Sequence, residues 1–202
     1  AEQLYRAVRA WFALHRPGDA SYPLSELLRI LGCMGHSAVA DIDGAEKWVP
    51  RMLNNPRIDM VSRAFVLLAA ARARICAGQP EAGVLLLEPG TQGIQWELTY
   101  WHLQLSRLRW LARGQQESGA MDEAQKTRES LEQRTGACDG RDGCDIFLHL
   151  SRLDEALAGG GDVQAALEGL QQAGDRQELD RLAPSSLGPQ EQALRIADCF
   201  RY

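Results

Sequence analysis

The stretch GAMDEA at residues 119–124 recurs in degenerate form as GQPEA at residues 78–82 and as GDVQAA at residues 161–166. Each copy opens on a glycine, which lets the chain reverse, and carries a small alanine inside the helix that follows. These alanines are 42 residues apart each time, at Ala82, Ala124 and Ala166. A small side chain at a helix crossing lets two helices lie close together, so we expect Ala124 and Ala166 to be buried there. The recurrence predicts antiparallel helix pairs that bury their remaining apolar faces by stacking on one another.

Helical periodicity dominates the rest of the chain, and the alternation typical of strands is nearly absent. The predicted fold class is therefore all-α, a stack of antiparallel helix pairs of the α-solenoid type. With 202 residues, 45% of them apolar and 24% charged, the composition is that of an ordinary globular protein. No apolar run reaches 18 residues, which argues against a membrane span. The net charge of −5 argues against direct contact with nucleic acid.

The predicted helices follow the apolar spacing and the Gly and Pro breakers. Asp59 is the predicted N-cap of a long Ala-rich helix, and Pro80 suits the first position of the next one. We predict three regions: N-terminal helices that pack on the repeat (1–58), the helical repeat (59–183), and a linker with a C-terminal helix (184–202). The predicted helices span residues 2–14, 25–31, 44–54, 59–77, 80–87, 94–113, 121–134, 145–158, 163–173 and 191–200.

The copies at residues 119–124 and 161–166 resemble the inter-helix turn and the small-residue position of the tetratricopeptide family. Leu150, Leu153 and Leu157 occupy places where that family has large apolar residues on its first helix. The family's usual Trp, Gly and Tyr are missing there, and the period of 42 exceeds its roughly 34 residues. A longer period is similar to the helical repeats of MalT-like bacterial transcription activators. The resemblance implies a protein–protein interaction or signal-relay module of a bacterial regulatory protein.

The predicted helix 94–113 carries two apolar stripes with a polar stripe between them, as expected for an inner helix of a solenoid. Such a stripe would face the concave groove in which repeat proteins bind peptides. Two guanidiniums one turn apart favour a protein or peptide of acidic character. One alternative is a face exposed to solvent. The other is internal pairing with the C-terminal half, which contains 17 Asp and Glu but only 9 Lys and Arg. The residues of this predicted partner-binding stripe are Gln95, Thr99, His102, Ser106, Arg109 and Arg113.

A second hypothesis is a small-molecule sensor with a pocket near Trp101 and His102. An enzyme is disfavoured because no catalytic motif is present in the sequence, and we expect no cofactor and no metal. Five cysteines, an odd number, favour a reducing compartment and hence the cytoplasm. Cys138 and Cys144 flank the loop CDGRDGC, so a disulfide between them is the alternative in an oxidising location such as the periplasm.

Overall fold

The computed structural model describes residues 49–50, 53–54, 56, 58–138, 144–159, 161–173 and 187–193, and every regular element in these ranges is helical. The predicted all-α fold class is confirmed. The chain divides into two compact units, residues 1–103 and residues 104–202. The α-helices are α1 (Met60–Cys76), α2 (Pro80–Leu87), α3 (Trp101–Glu117), α4 (Met121–Gly136), α5 (Cys144–Leu157) and α6 (Val163–Ala173). Two 3₁₀ turns precede α3, at Thr91–Gly93 and Trp96–Leu98.

The predicted boundaries hold closely for four helices. Helix α1 is one residue shorter at each end than the predicted 59–77, α2 and α6 have their predicted bounds, and α5 is shifted by one residue at each end. Residues 189–193 are helical, which covers the first turn of the predicted C-terminal helix; the remainder of that helix lies outside the described residues. The predicted helices at residues 2–14 and 25–31, and most of the one at 44–54, lie outside them as well.

Helix α1 begins at the N-cap that its sequence predicts. The Asp59 carboxylate accepts a hydrogen bond from the Ser62 backbone N–H at 2.9 Å and another from the Ser62 hydroxyl at 2.8 Å. The helix is then buried on nearly all sides, from Ala64 through Ile75. Short side chains dominate this stretch, so neighbouring elements can approach the α1 backbone closely.

Replacing Asp59 with alanine is expected to lower the free energy of unfolding by about 0.5–2 kcal/mol, because an orphan backbone N–H loses its acceptor. The backbone hydrogen bond from Ser62 is the main reason that the pKa of Asp59 lies below its ordinary 3.8. The cap therefore contributes its stability above pH 3.8 and loses it as the pH falls through the lowered value. Urea unfolding at neutral pH measures the cost, and Asp59→Asn, which can still cap, should lose less than Asp59→Ala.

A turn built on a left-handed glycine, here called the joint, connects the two helices of each pair. Gly78 adopts a left-handed φ of 77° after α1, and its N–H donates to the Ile75 carbonyl at 3.0 Å. The next N–H, from Gln79, donates to the Arg74 carbonyl at 2.8 Å, which completes a Schellman motif. Gly119 ends α3 with the same two bonds, and Gly159 ends α5 with a φ of 89°. The third joint is longer, because α6 begins four residues after Gly159, whereas α2 and α4 each begin two residues after their glycine.

In every pair, the fourth residue of the second helix is a small residue that lets this helix pack closely against the first. Ala124 and Ala166 occupy this position in α4 and α6 and are 0% and 6% exposed, which confirms their predicted burial. In α2 the buried residue at this position is Gly83, whereas Ala82, the alanine that the 42-residue spacing identifies, is half-buried. Gly83 follows Gly78 by five residues, as Ala124 follows Gly119, so the position at which α2 begins makes Gly83 the counterpart of Ala124.

The prediction of a continuous helix over residues 94–113 is wrong at its N-terminal end. Ile94 and Thr99 are both extended, and only short 3₁₀ turns lie on either side of Ile94. Thr99 is 7% exposed, and its hydroxyl donates to the Trp96 carbonyl at 2.6 Å, so the β-branched side chain satisfies a backbone acceptor outside any α-helix. Helix α3 begins at Trp101 and continues four residues beyond the predicted end, to Glu117.

In the second unit, α5 and α6 share a leucine-rich core. Leu150 and Leu153 of α5 pack with Leu167 and Leu170 of α6, and all four are at most 2% exposed. Ala193, in the short helical segment 189–193, belongs to the same cluster. Helix α4 buries a much narrower stripe, formed by Ala124, Thr127, Leu131 and Thr135. It therefore presents a wide polar face outside that stripe.

Candidate functional site

The six residues of the predicted stripe do not lie on one helix. Gln95 is exposed and Thr99 is buried, and both precede α3. His102, Ser106, Arg109 and Arg113 do lie on α3, but with different environments: Ser106 is half-buried, whereas Arg109 is only 3% exposed. A single polar face running along residues 95–113 is therefore not formed.

His102 lies among three aromatic rings of the first unit. Its ring centroid is 5.6 Å from that of Tyr100, which is stacked on it, 5.7 Å from that of Trp101 and 6.1 Å from that of Phe65. Burial among these rings lowers the pKa of His102 below its usual 6.5. The rings occupy the space beside the imidazole, so the predicted small-molecule pocket near Trp101 and His102 gains no support from this arrangement.

Arg109 forms a buried, two-pronged ion pair with Asp154 of α5. Its Nε donates to Oδ2 at 2.8 Å and its Nη2 donates to Oδ1 at 3.2 Å. The two side chains are 3% and 5% exposed. Two parallel hydrogen bonds between a planar guanidinium and a carboxylate hold both partners in a defined orientation. This ion pair therefore holds α3 against α5. These are the first helices of two successive helix pairs.

Arg113 joins the same group of charges. Its Nε lies 2.8 Å from Glu117, and its Nη1 lies 3.5 Å from the Oδ1 of Asp154. Both guanidiniums also lie over the ring of Trp110, at 5.2 Å for Arg109 and 5.1 Å for Arg113. The structure contains internal pairing of Arg109 and Arg113 with Asp154 of the acidic C-terminal half, which is one of the alternatives that the sequence leaves open. Arg109 and Arg113 therefore already pair with carboxylates of this chain and do not indicate an acidic partner.

A groove of about 520 Å³ lies between α5 and α6. Small residues, including Gly161, Ala165 and Ala166, contribute to its lining. Three carboxylates, those of Glu155, Asp162 and Glu168, outnumber the one guanidinium of Arg152. That guanidinium is held at 2.9 Å by Glu132 of α4. The full lining is His149, Arg152, Glu155, Gly161, Asp162, Ala165, Ala166, Glu168, Gly169 and Gln172.

Sequence reasoning missed this groove, although a signal for it was present. His149, Arg152 and Glu155 follow one another at three-residue intervals along α5, which places them on one side of a helix. A polar face on the first helix opposite small residues on the second predicts a groove, because short side chains leave the space between the helices open.

The remaining chemistry of the described residues is limited. Cys138 and Cys144 are free thiols in the structure. Within the described ranges, no group of three or more His, Cys, Asp or Glu side chains is arranged to hold a metal ion. None of the described helices combines the length and the apolar character that crossing a bilayer requires.

Comparison with protein-family models, with curated proteins and with solved structures gives no match.

Proposed function

We propose that this chain is a helical-repeat module that binds a protein partner. The observation that carries the proposal is the joint shared by three helix pairs: a left-handed glycine ends the first helix, and a small residue is the fourth of the second helix. Modules built from such pairs stack and present grooves between helices, and their common use is to bind peptides or helices. In a regulator of the kind that the tetratricopeptide-like resemblance implies, the module relays a signal by repacking against a neighbouring domain.

The partner binds in the groove between α5 and α6 and presents basic side chains. Three carboxylates line the groove against a single guanidinium, and that guanidinium is already paired with Glu132. Complementary charge steers association and selects among partners. Arg109, the most buried cation of the predicted stripe, acts instead as an internal support for α5.

We expect Glu168→Lys to weaken binding of a basic peptide about threefold to tenfold. One exposed charge contact contributes up to about 1 kcal/mol, and reversal replaces attraction with repulsion. Fluorescence anisotropy with labelled Lys- and Arg-rich peptides, and with acidic peptides of equal length, measures the affinity for the full 202-residue chain.

Glu129→Lys is the matched control for this experiment. Glu129 and Glu168 are both exposed, and each accepts a hydrogen bond from a glutamine four residues earlier, but Glu129 lies on α4 outside the groove. Equal weakening by both variants would reduce the effect to net charge and reject the groove. Preference for the acidic peptides would reject the charge assignment. Thermal unfolding of each variant verifies that the fold is retained.

A further inference from the structure

Of the three carboxylates that line the groove between α5 and α6, Glu155 has the most unused capacity to accept hydrogen bonds. Asp162 already accepts from two backbone N–H groups at the start of α6, and Glu168 accepts from the side chain of Gln164. Within the described ranges, Glu155 accepts no hydrogen bond, and its side chain is 32% exposed. Its carboxylate is therefore the one best placed to receive an ammonium or guanidinium group that enters the groove.

A buried cation of α4 lies behind this carboxylate. Nη1 of Arg128 is 3.4 Å from Oε1 of Glu155, and the Arg128 side chain is 11% exposed and does not line the groove. Its Nη2 donates to the side chain of Gln116 on α3, whereas its Nε is buried and has no acceptor within reach among the described residues. Glu155 therefore supplies the negative charge that compensates this guanidinium, and a buried charge that loses such a partner is costly.

A basic partner and Arg128 must share the Glu155 carboxylate. A cation that approaches Glu155 from the groove is attracted by the carboxylate and repelled by the guanidinium behind it. Arg128 therefore opposes the binding of basic side chains. Coupling between two binding events is reciprocal, so a bound partner weakens the hold of Glu155 on Arg128 by the same free energy.

We propose that Glu155 anchors a basic side chain of the partner and that Arg128 is a specificity-determining residue that competes for this carboxylate. The inference rests on the proposed function, to which it adds the carboxylate that the partner engages and the residue that limits its affinity. Because Arg128 also contacts Gln116, occupation of the groove is communicated to α3 of the preceding helix pair.

Peptide binding by the full chain, measured by fluorescence anisotropy with the labelled Lys- and Arg-rich peptides, tests the competition. Arg128→Gln should tighten binding about threefold to fivefold, and Glu155→Gln should weaken it by a similar factor. Arg134→Gln is the matched control because it removes the same charge from the same helix, where Arg134 is exposed and lies outside the groove lining. In the Glu155→Gln background, Arg128→Gln should tighten binding no more than Arg134→Gln does.

Two results would overturn the competition and leave the proposed function intact. One is an Arg128→Gln variant that binds no more tightly than Arg134→Gln, although Glu168→Lys still weakens binding. The other is an Nε–H resonance of Arg128 that does not shift when the wild-type chain is titrated with the basic peptide. The NMR titration needs no variant, so the test remains decisive even if Arg128→Gln does not fold. Basic peptides that fail to bind the wild-type chain at all would reject the proposed function and the competition together.

Discussion

Replacing Asp154 with alanine is expected to lower the free energy of unfolding by about 3–5 kcal/mol, the range observed when one member of a buried ion pair is removed. The substitution takes the Asp154 carboxylate, which accepts two hydrogen bonds from Arg109, away from a guanidinium that is 3% exposed. It also removes the more distant contact with Arg113, at 3.5 Å. Urea unfolding, monitored by circular dichroism and by tryptophan fluorescence, measures the loss.

The double variant Arg109→Met, Asp154→Leu distinguishes the cost of leaving a buried charge unpaired from the net contribution of the ion pair. Apolar residues of similar size can replace a buried ion pair at little cost, so the double variant should lose much less than the sum of the two single variants. Glu132→Ala is the control because it breaks an exposed ion pair, in which the side chain of Arg152 is 48% exposed and that of Glu132 is 61% exposed. This substitution should lower the free energy of unfolding by less than about 1 kcal/mol. If Asp154→Ala proved as mild as Glu132→Ala, the pair would not support α5.

Gly83→Ala is expected to destabilise the first unit by about 1–3 kcal/mol through overpacking at the α1–α2 crossing. A Cβ at this position would lie 2.5 Å from Cγ1 of Ile75 and 2.9 Å from the backbone carbonyl oxygen of Ala71. The isoleucine can rotate away, but the carbonyl belongs to the helix backbone and cannot move without displacing α1. This cost opposes the gain of about 1 kcal/mol that alanine brings over glycine within a helix.

Gly136→Ala provides the matched control for Gly83→Ala. Gly136 is also helical, at the end of α4, and nothing lies within 4 Å of a Cβ built there. This substitution should leave the melting temperature unchanged or raise it slightly. A Gly83→Ala variant that melted at or above the wild-type temperature would show that α1 and α2 cross less closely than described.

The sequence predicts the described helix pairs well because their signals are local. Asp59 before a helical pattern predicts a cap, Pro80 predicts a first helical residue, and each turn glycine predicts a reversal. The predicted start of α3 is wrong because no local signal marks it. Ile94 and Trp96 are both about 2% exposed, so the segment before α3 buries apolar side chains as a helix would, and periodicity alone does not distinguish the two conformations.

The candidate site depends on contacts that no local pattern encodes. Arg109 and Asp154 are 45 residues apart, and 17 acidic residues of the C-terminal half were equally eligible as its partner. The sequence therefore indicated that internal pairing was one alternative without indicating where. The groove likewise requires the rotation of α5 relative to α6, which the leucine core determines.

The three-residue connections at Gly78 and Gly119 also bear on how the chain reaches its native state. Helices joined so tightly touch mainly through residues that are near one another in sequence, and a low mean sequence separation of contacts accompanies rapid folding. Closing such a short loop costs little chain entropy. The contact between Arg109 and Asp154 spans three helices and must wait until they exist. Each hairpin can therefore assemble early, and the ionic contact between successive first helices is a late, consolidating step.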